Sequence, residues 1–256
     1  MDYQKIIELV KKASETVFDP TLKSEVATKG EADFVTAVDL KISNFIKEEL
    51  KKLDPNAGFM SEEEAGEISA KRWILDPIDG TTNLVYDYNM SSVSLAYCEN
   101  EEILFGVVYN PYNGDLFTAE KGKGAYLNGK KLTPAPDRAL KDCLIEFGAG
   151  STKKQYADES FALAKSIFKE CLDIRRICSS ALAVCYVACG RLNGYFERSI
   201  KPWDYAAACL ILEECGGKCL DWYGNPVQFK DPSSFVCGTE KARNFLLKTI
   251  QSQVEL

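Results

Sequence analysis

Apolar residues recur at helical spacing in two segments near the start of the chain. The first segment, residues 3–18, predicts an amphipathic helix that ends at Asp19-Pro20. Its predicted inner face consists of Ile6, Ile7, Val10, Ala13, Val17 and Phe18. The second predicts a helix from about residue 39 to residue 53, with this inner face: Leu40, Ile42, Phe45, Ile46 and Leu50. A short buried strand is expected next, at residues 58–60.

Between residues 91 and 118 the helical spacing gives way to patterns typical of β-strands. Val93, Leu95 and Tyr97 alternate with polar or small residues, and residues 103–109 form a β-rich run. The segment NPYNG at 110–114 predicts a turn between strands, and Asn128-Gly129 predicts a tight hairpin. The first part of the chain is therefore expected to form helices followed by an antiparallel meander.

Residues 133–137, TPAPD, are the predicted boundary between two lobes. Strands are expected after it near residues 143–147, 173–176, 194–197, 218–221 and 235–237. Helices are expected near residues 156–169, 180–190, 203–215 and 240–252. This alternation indicates an α/β second lobe. We expect one domain over residues 1–256, with lobes of about 1–135 and 136–256.

Composition narrows the classes of function. The chain has 256 residues, of which 46% are hydrophobic, and this is enough for one large domain or two packed lobes. The net charge of −7, without a polybasic run, makes binding to nucleic acid or to an anionic membrane unexpected. No stretch resembles a secretory signal or a membrane span, so we expect a soluble cytoplasmic protein.

The cysteine and histidine counts restrict the chemistry. The ten cysteines form no CxxC pair, and we interpret them as small buried hydrophobic residues in a reducing compartment. The chain has no histidine, which excludes Ser–His triads, histidine zinc sites and imidazole bases. Acid–base chemistry must then use carboxylates, hydroxyls, lysine, cysteine or metal-bound water.

The most informative chemical pattern is WILDPIDGTTNL, residues 73–84. An apolar run leads into Asp76 and Asp79, and Gly80-Thr81-Thr82 then marks a predicted helix start. Carboxylates are hard oxygen ligands for divalent cations. Free N–H groups at a helix N-terminus bind phosphate. Together these features predict metal-assisted phosphate chemistry.

Further acidic residues stand at predicted strand ends or helix starts, namely Asp39, the run at 62–64 and Asp204. Gathered in one place, such carboxylates would repel one another unless a cation such as Mg²⁺ neutralised them. Each also has an ordinary explanation when taken alone. Asp39 and Asp204 suit helix caps, the glutamates suit a solvated charge run, and DPIDGT suits a turn. Local patterns do not decide whether these segments meet in space.

DPIDGTTN and PWDYAAA, together with the upstream DFVTAVD and SEEE, resemble motifs of the inositol monophosphatase family. That family comprises Mg²⁺-dependent, lithium-sensitive phosphatases and also contains fructose-1,6-bisphosphatases. The similarity extends from the first helix to about residue 238. It implies a mixed α+β and α/β fold, a layered αβαβα sandwich. It also implies two or three Mg²⁺ ions per site, a small phosphorylated polyol or sugar as substrate, and a homodimer.

The family pattern implies a role for each matching residue. The implied metal ligands are Glu62, Asp76, the Ile78 carbonyl, Asp79 and Asp204. The implied catalytic residues are Thr81, Asp39 and Glu62. Of these, Thr81 and Asp39 would orient and deprotonate the attacking water. Backbone amides of Gly80 and Thr81 would hold the phosphate. The implied substrate contacts are Asp79, Ser179, Ser180, Glu197 and Asp204.

Four positions depart from the family pattern, namely Ser61, Tyr86, Cys178 and Ala208. They leave the metal ligands intact and bear on the substrate. The resemblance implies direct hydrolysis of myo-inositol monophosphate by metal-activated water. One alternative is the same chemistry on fructose-1,6-bisphosphate, a 3′-phosphoadenosine nucleotide or histidinol phosphate. Another is a non-catalytic regulatory homologue.

Overall fold

The computed structural model describes residues 2–30, 33–64, 66, 69–150 and 153–254, without the side chains of residues 28–30 and 33. Its α-helices are α1 (Tyr3–Ser14), α2 (Pro20–Ser24), α3 (Ala37–Leu53), α4 (Thr81–Val85), α5 (Ala157–Phe168), α6 (Ser180–Ala188), α7 (Pro202–Glu213) and α8 (Glu240–Gln253). Its strands are β1 (Val26–Gly30), β2 (Asp33–Thr36), β3 (Gly58–Ser61), β4 (Lys71–Asp79), β5 (Ser92–Glu99), β6 (Glu102–Asn110), β7 (Asp115–Glu120), β8 (Gly124–Leu127), β9 (Lys130–Lys131), β10 (Leu144–Gly148), β11 (Asp173–Arg175), β12 (Gly194–Ile200), β13 (Cys219–Leu220) and β14 (Ser233–Gly238).

The first large sheet has seven strands in the order β3-β4-β5-β6-β7-β8-β9. Only the β3–β4 pair is parallel, and the strands from β4 onward form an antiparallel meander. The predicted turn at 110–114 connects β6 to β7, and the Asn128-Gly129 hairpin connects β8 to β9. The structure therefore confirms the meander and both turns.

Helices α1 and α3 cover one face of this sheet, where Ile6, Val10, Ile42 and Ile46 pack in one buried cluster. The predicted first helix is shorter than expected, because residues 15–18 tighten into a 3₁₀-helix. Helix α3 begins earlier than expected, at Ala37. The buried residues belong to the periodic apolar pattern, so the spacing located both helices. The predicted inner faces were wrong at two positions, because Phe18 and Leu40 are 57% and 47% exposed.

The second large sheet has the order β11-β10-β12-β14-β13. Strands β11, β10 and β12 are parallel, and β14 is antiparallel to both of its neighbours. The expected strand at 218–221 shrinks to the two residues of β13. The β1–β2 hairpin, which forms a separate two-stranded sheet, was not predicted.

Helices α6 and α7 lie between the two large sheets. Almost every residue of both helices is buried, because a middle layer contacts apolar neighbours on both sides. A Cβ placed at Gly106 of β6 would lie 2.6 Å from the Ala207 carbonyl oxygen, so glycine permits this close packing. Helices α5 and α8 cover the outer face of the second sheet. The order of layers is therefore the αβαβα sandwich that the resemblance implies.

All ten cysteines are free thiols. Seven of them are buried, and Cys171 and Cys189 are partly buried, which fits their interpretation as small apolar residues. Cys178 is exposed and departs from that interpretation. Within the described residues, no helix combines the length and the apolar character that crossing a membrane requires.

Arg72, a fully buried cation on β4, connects three parts of the fold. Its guanidinium donates to both carboxylate oxygens of Glu101 at 2.9 and 3.0 Å, to the Ser69 carbonyl at 3.1 Å and to the Phe229 carbonyl at 2.9 Å. We expect Arg72→Met to lower the free energy of unfolding by about 3 kcal/mol, because it leaves these acceptors without their donor. Urea denaturation measures the loss.

Lys71→Met is the matched control, because Lys71 is an exposed neighbour that pairs with Glu99 at 3.3 Å. We expect this change to have little effect on stability, since exposed ion pairs contribute little. Equal losses in the two variants would contradict the assignment to Arg72.

Candidate active site

A cavity of about 470 Å³ is lined by residues from both large sheets and from the middle helices. Ten of the site residues implied by the resemblance line it: Glu62, Asp76, Ile78, Asp79, Gly80, Thr81, Ser179, Ser180, Glu197 and Asp204. Asp39 is not in the lining and lies behind Thr81. The fold therefore gathers segments whose meeting the local patterns left undecided.

An irregularity in β4 turns both aspartates of DPIDGT toward this cavity. Asp76 pairs with Ser94 of β5 and Asp79 pairs with Ser92, so three steps on β4 oppose two steps on β5. In a regular strand, residues three apart point to opposite faces, and the extra residue of a bulge restores the same face. Pro77 is tolerated there because a bulge does not need its missing N–H.

Asp76 is almost fully buried, and one of its oxygens accepts from the Ile78 N–H at 3.0 Å. Burial raises its pKa well above the usual value, and the charges of Glu62 and Asp79 raise it further. The Glu62 N–H donates to the Leu75 carbonyl at 3.3 Å, which places Glu62 beside the end of β4.

The Asp79 carboxylate accepts hydrogen bonds from four groups. The Ser180 and Ala181 N–H groups donate at 3.0 Å each, the Ser92 hydroxyl donates at 3.3 Å, and the Ser179 hydroxyl also donates. Burial raises the pKa of Asp79 to about 6 although these hydrogen bonds lower it. Ser179 is buried against Asp79, and its direct contact with substrate stays a prediction.

Asp204 is the third residue of α7, and its carboxylate accepts from the Lys201 N–H at 2.7 Å. Asp204 therefore also makes the helix-capping contact that was expected for an aspartate at this position. Burial raises its pKa well above the usual value, and the charges of Asp79 and Glu62 raise it further. Asp204 thus belongs to the same group of carboxylates.

The charges of neighbouring acidic groups contribute to the raised pKa values of Asp76 and Asp204, which indicates a local excess of negative charge. Glu62, Asp76, Asp79 and Asp204 supply only hard oxygen donors, the type that Mg²⁺ prefers. In the part of the chain that the structure describes, no three aspartate, glutamate or cysteine side chains are arranged so that they could hold a metal ion. The chemistry and the charge of these donors nevertheless fit a divalent cation.

Gly80 and Thr81 form the turn from β4 into α4. Gly80 has φ +94°, and a Cβ there would lie 3.0 Å from the Cys178 carbonyl oxygen, so both conformation and space favour glycine. The Thr81 hydroxyl lies 3.1 Å from an Asp39 oxygen and 3.1 Å from the Ile78 carbonyl. It can donate its proton to one of them at a time.

Asp39 is fully buried in the first turn of α3. Its carboxylate accepts from the Thr36 hydroxyl at 2.5 Å and from the Thr36 N–H at 2.8 Å. The Asp39 N–H in turn donates to the Thr36 hydroxyl oxygen at 3.4 Å, and this pair of backbone-to-side-chain hydrogen bonds is a capping box. Burial raises its pKa to about 6, although the hydrogen bonds of Thr36 lower it. Asp39 therefore stabilises the helix start and contacts Thr81 at the same time.

Glu197 lies on β12 and lines the cavity. Its Oε2 accepts from the Tyr195 hydroxyl and from the Ser180 hydroxyl, the latter at 3.4 Å. Burial raises its pKa to about 7. A Cβ at Gly148 would lie 2.0 Å from this Oε2, so the neighbouring strand needs glycine there.

Sequence reasoning missed Asn83, Glu146 and Arg176, all of which line the cavity. The Asn83 side chain donates to the Met90 carbonyl at 2.8 Å and to the Ile177 carbonyl at 2.7 Å, which connects α4 to the segment before α6. Glu146 was detectable as a single acidic residue inside the apolar strand LIEFG. Asn83 and Arg176 give no comparable local signal.

The four departures from the family pattern lie in different surroundings. Tyr86 is 73% exposed and does not line the cavity. Ser61 and Ala208 are buried. Cys178 is an exposed residue of the cavity wall with φ +59°, in the left-handed region that favours glycine.

A family model described as "Inositol monophosphatase family" matches residues 2–255 of this chain. The chain is 35% identical over 255 residues to a protein of Rhizobium meliloti (strain 1021) named inositol-1-monophosphatase, covering 97% of this chain and 96% of that protein. It is 38% identical over 204 residues to the Nus factor SuhB of Escherichia coli (strain K12), covering 78% and 76%.

The fold is also similar to that of solved structures. The crystal structure of the extragenic suppressor protein suhB from Bartonella henselae superposes with a TM-score of 0.90 at 33% identity. The match covers 97% of this chain and 98% of that one. The layered architecture is therefore shared over nearly the whole chain.

Replacing Cys178 by Gly and by Ala separates backbone strain from loss of the thiol. Both changes remove the sulfur, but only glycine adopts the left-handed conformation without the steric penalty of a Cβ. We expect the free energy of unfolding of Cys178→Gly to exceed that of Cys178→Ala by about 1 kcal/mol. Urea denaturation of the two proteins measures the difference.

Cys171 is the matched control, since it is a partly buried cysteine without positive φ. At Cys171 the glycine variant should be no more stable than the alanine variant, because glycine relieves no strain there and only increases the conformational entropy of the unfolded chain. The strain interpretation fails if Cys178→Gly is equally or less stable than Cys178→Ala.

Proposed function

This chain belongs to the inositol monophosphatase family and is therefore a phosphoric monoester hydrolase, and we propose that it hydrolyses myo-inositol monophosphate with Mg²⁺ as cofactor. The observation that supports the proposal is one cavity whose lining combines two kinds of surroundings: the carboxylates with Thr81, which contacts Asp39, and the hydrogen-bonded pair of Ser180 and Glu197. A phosphate and a polyhydroxy alcohol need these two kinds of surroundings.

We propose that the ligands of two or three Mg²⁺ ions are Glu62, Asp76, the Ile78 carbonyl, Asp79 and Asp204. Bound Mg²⁺ would supply positive charge that lowers the pKa of water and offsets the charge of the phosphate. Four carboxylates suit this cofactor, because Glu62, Asp79 and Asp204 all raise the pKa of Asp76 while no cation is bound.

The chain's own groups would position the phosphate and take up the proton of the attacking water. Backbone N–H groups of Gly80 and Thr81 would bind the phosphate at the start of α4, where such groups lack partners inside the helix. The Thr81 hydroxyl would accept the water proton and pass its own to Asp39 at 3.1 Å. Burial raises the pKa of Asp39 to about 6, which suits a proton acceptor near neutral pH.

Glu197 and Ser180 would hold the hydroxyl groups of the leaving alcohol. Burial raises the pKa of Glu197 to about 7, so its carboxyl group can donate or accept hydrogen bonds near neutral pH. The Ser180 hydroxyl adjoins it, and its N–H contacts Asp79. Such a wall suits a polyol, and inositol presents several hydroxyls to it.

The other substrates keep the same chemistry and change the alcohol: fructose-1,6-bisphosphate, a 3′-phosphoadenosine nucleotide and histidinol phosphate. The non-catalytic alternative is a regulatory homologue that retains the fold, and some relatives of this chain are named Nus factor SuhB. The retained carboxylates favour the enzyme. We also propose a cytoplasmic homodimer, and sedimentation measures the oligomeric state.

Asp76→Asn tests the proposed site, because it removes one negative charge from the metal ligands and keeps the side-chain size. We expect kcat/KM for inositol 1-phosphate to fall at least about 100-fold, since a neutral amide is a weaker ligand. Phosphate release in excess Mg²⁺ measures it. Near-normal Mg²⁺-dependent turnover by this variant would exclude the assignment.

Asp173→Asn is the control, because Asp173 is a surface carboxylate of β11 outside the cavity lining. Its activity should match that of the unmodified protein. The same assay on the other phosphomonoesters ranks the substrates. Release from none of them, inositol 1-phosphate included, would favour the non-catalytic alternative.

The carboxylate pKa values predict how Mg²⁺ stabilises the fold. Burial raises the pKa of Asp79 from 3.8 to about 6. Between these values the metal-free folded state holds more protons than the unfolded state, so this group makes stability fall as pH rises. Mg²⁺ needs ionised ligands, and its stabilising effect should therefore grow from about pH 5 to about pH 7.

Thermal denaturation with excess Mg²⁺ and with chelator, at both pH values, measures this difference. In Asp76→Asn the Mg²⁺-induced shift should be small at either pH. A shift of the normal protein that stays constant or shrinks as pH rises would show that the carboxylates do not bind the ion.

A further inference from the structure

Glu146 is a buried acid of the cavity wall for which the proposed reaction has no use. It lies near the end of β10 with 2% of its surface exposed. Its Oε1 accepts from the Ile177 N–H at 2.6 Å. Its Oε2 is buried and makes no well-formed hydrogen bond with the described residues. Burying such a group costs free energy, so its contact with Ile177 needs an explanation beyond packing.

Ile177 begins a sharp turn, residues 177–181, that leads from β11 into α6. The Ile177 carbonyl accepts from the Asn83 side chain of α4 at 2.7 Å. Cys178 in the same turn has φ +59°. A turn with an unfavourable conformation keeps its shape only when neighbouring groups hold it.

The far end of this turn holds Asp79. The N–H groups of Ser180 and Ala181 donate to its carboxylate at 3.0 Å each, and the Ser179 hydroxyl donates as well. Three of the four hydrogen bonds to Asp79 therefore come from the turn, and the fourth comes from Ser92. The position of the turn sets the position of the Asp79 oxygens.

We infer that Glu146 is a positioning residue of the metal site: through the Ile177 N–H it holds the 177–181 turn so that the turn aims Asp79 at the cation. The inference rests on the proposed metal site and goes beyond it, since Glu146 contacts neither ion nor substrate. Outer groups that orient ligands typically change metal affinity by about 10- to 100-fold when removed.

Glu146 holds the 177–181 turn through its acceptor oxygen more than through its charge. Burial raises the pKa of Glu146 to about 7, and the N–H groups of Ile177 and Cys178 lower it. Glu197 faces it with a like charge, and Arg176 faces it with an opposite one. Near neutral pH the side chain is thus partly protonated, and its Oε1 accepts from Ile177 in either state.

A pair of variants separates the acceptor from the bulk of the side chain. Glu146→Gln keeps an oxygen that can accept from Ile177, and Glu146→Met keeps the length without an acceptor. We expect the Met variant to bind Mg²⁺ about tenfold more weakly by isothermal titration calorimetry. The Gln variant should stay within about threefold of the unmodified protein.

Asn193→Ala controls for general weakening of the lobe. The Asn193 side-chain oxygen accepts from the Leu144 N–H at 2.9 Å, two residues before Glu146 on the same strand. This variant also loses a hydrogen bond to β10, but it leaves the turn intact. Thermal denaturation should show a loss of stability in it, while its Mg²⁺ dissociation constant stays unchanged.

Three results would overturn the inference: equal Mg²⁺ binding by Glu146→Met and the unmodified protein, weakening by Glu146→Gln as large as by Glu146→Met, or a Met variant without a cooperative unfolding transition. The last would mean that the contact holds the lobe and not the site. Absence of Mg²⁺ binding by the unmodified protein would instead reject the proposed metal site itself.

Discussion

The structure depends on a group of like-charged carboxylates buried at the end of β4. Asp76, Asp79 and Asp204 repel one another there, and Glu62 adds a fourth charge. Such a group is stable only with hydrogen-bond donors around it and with either protons or a cation to neutralise it. The surrounding architecture can be understood as the means of supplying these donors and of leaving room for the cation and a phosphate.

The donors come from both lobes, which explains the layered arrangement. The bulge in β4 turns Asp76 and Asp79 to the same side, and both line the cavity. The middle helices α6 and α7 approach from the second lobe, so that Ser180 donates to Asp79 and Asp204 joins the group. Because α6 and α7 are apolar all round and packed on both sides, their first turns are held in place.

Much of this could be predicted from the sequence. Apolar periodicity located α1 and α3, turn residues located the meander, and alternation of strands and helices located the second large sheet and its helices, because each of these signals is local. The resemblance to the family motifs predicted which carboxylates line the cavity, and it also predicted the layered fold. The β1–β2 hairpin and the short extent of β13 were missed, since short strands depend on neighbours that the local pattern does not contain.

By itself, the sequence determined the chemistry available to this protein: no imidazole, several carboxylates, and a glycine-threonine turn after a buried strand. Only the tertiary structure decided how those groups are arranged. Whether Asp76 and Asp79 share a face depends on one extra residue in β4 relative to β5, which is a property of the strand pair. The contact of Glu146 with Ile177 likewise joins two segments 31 residues apart, and no local pattern carries information about their distance.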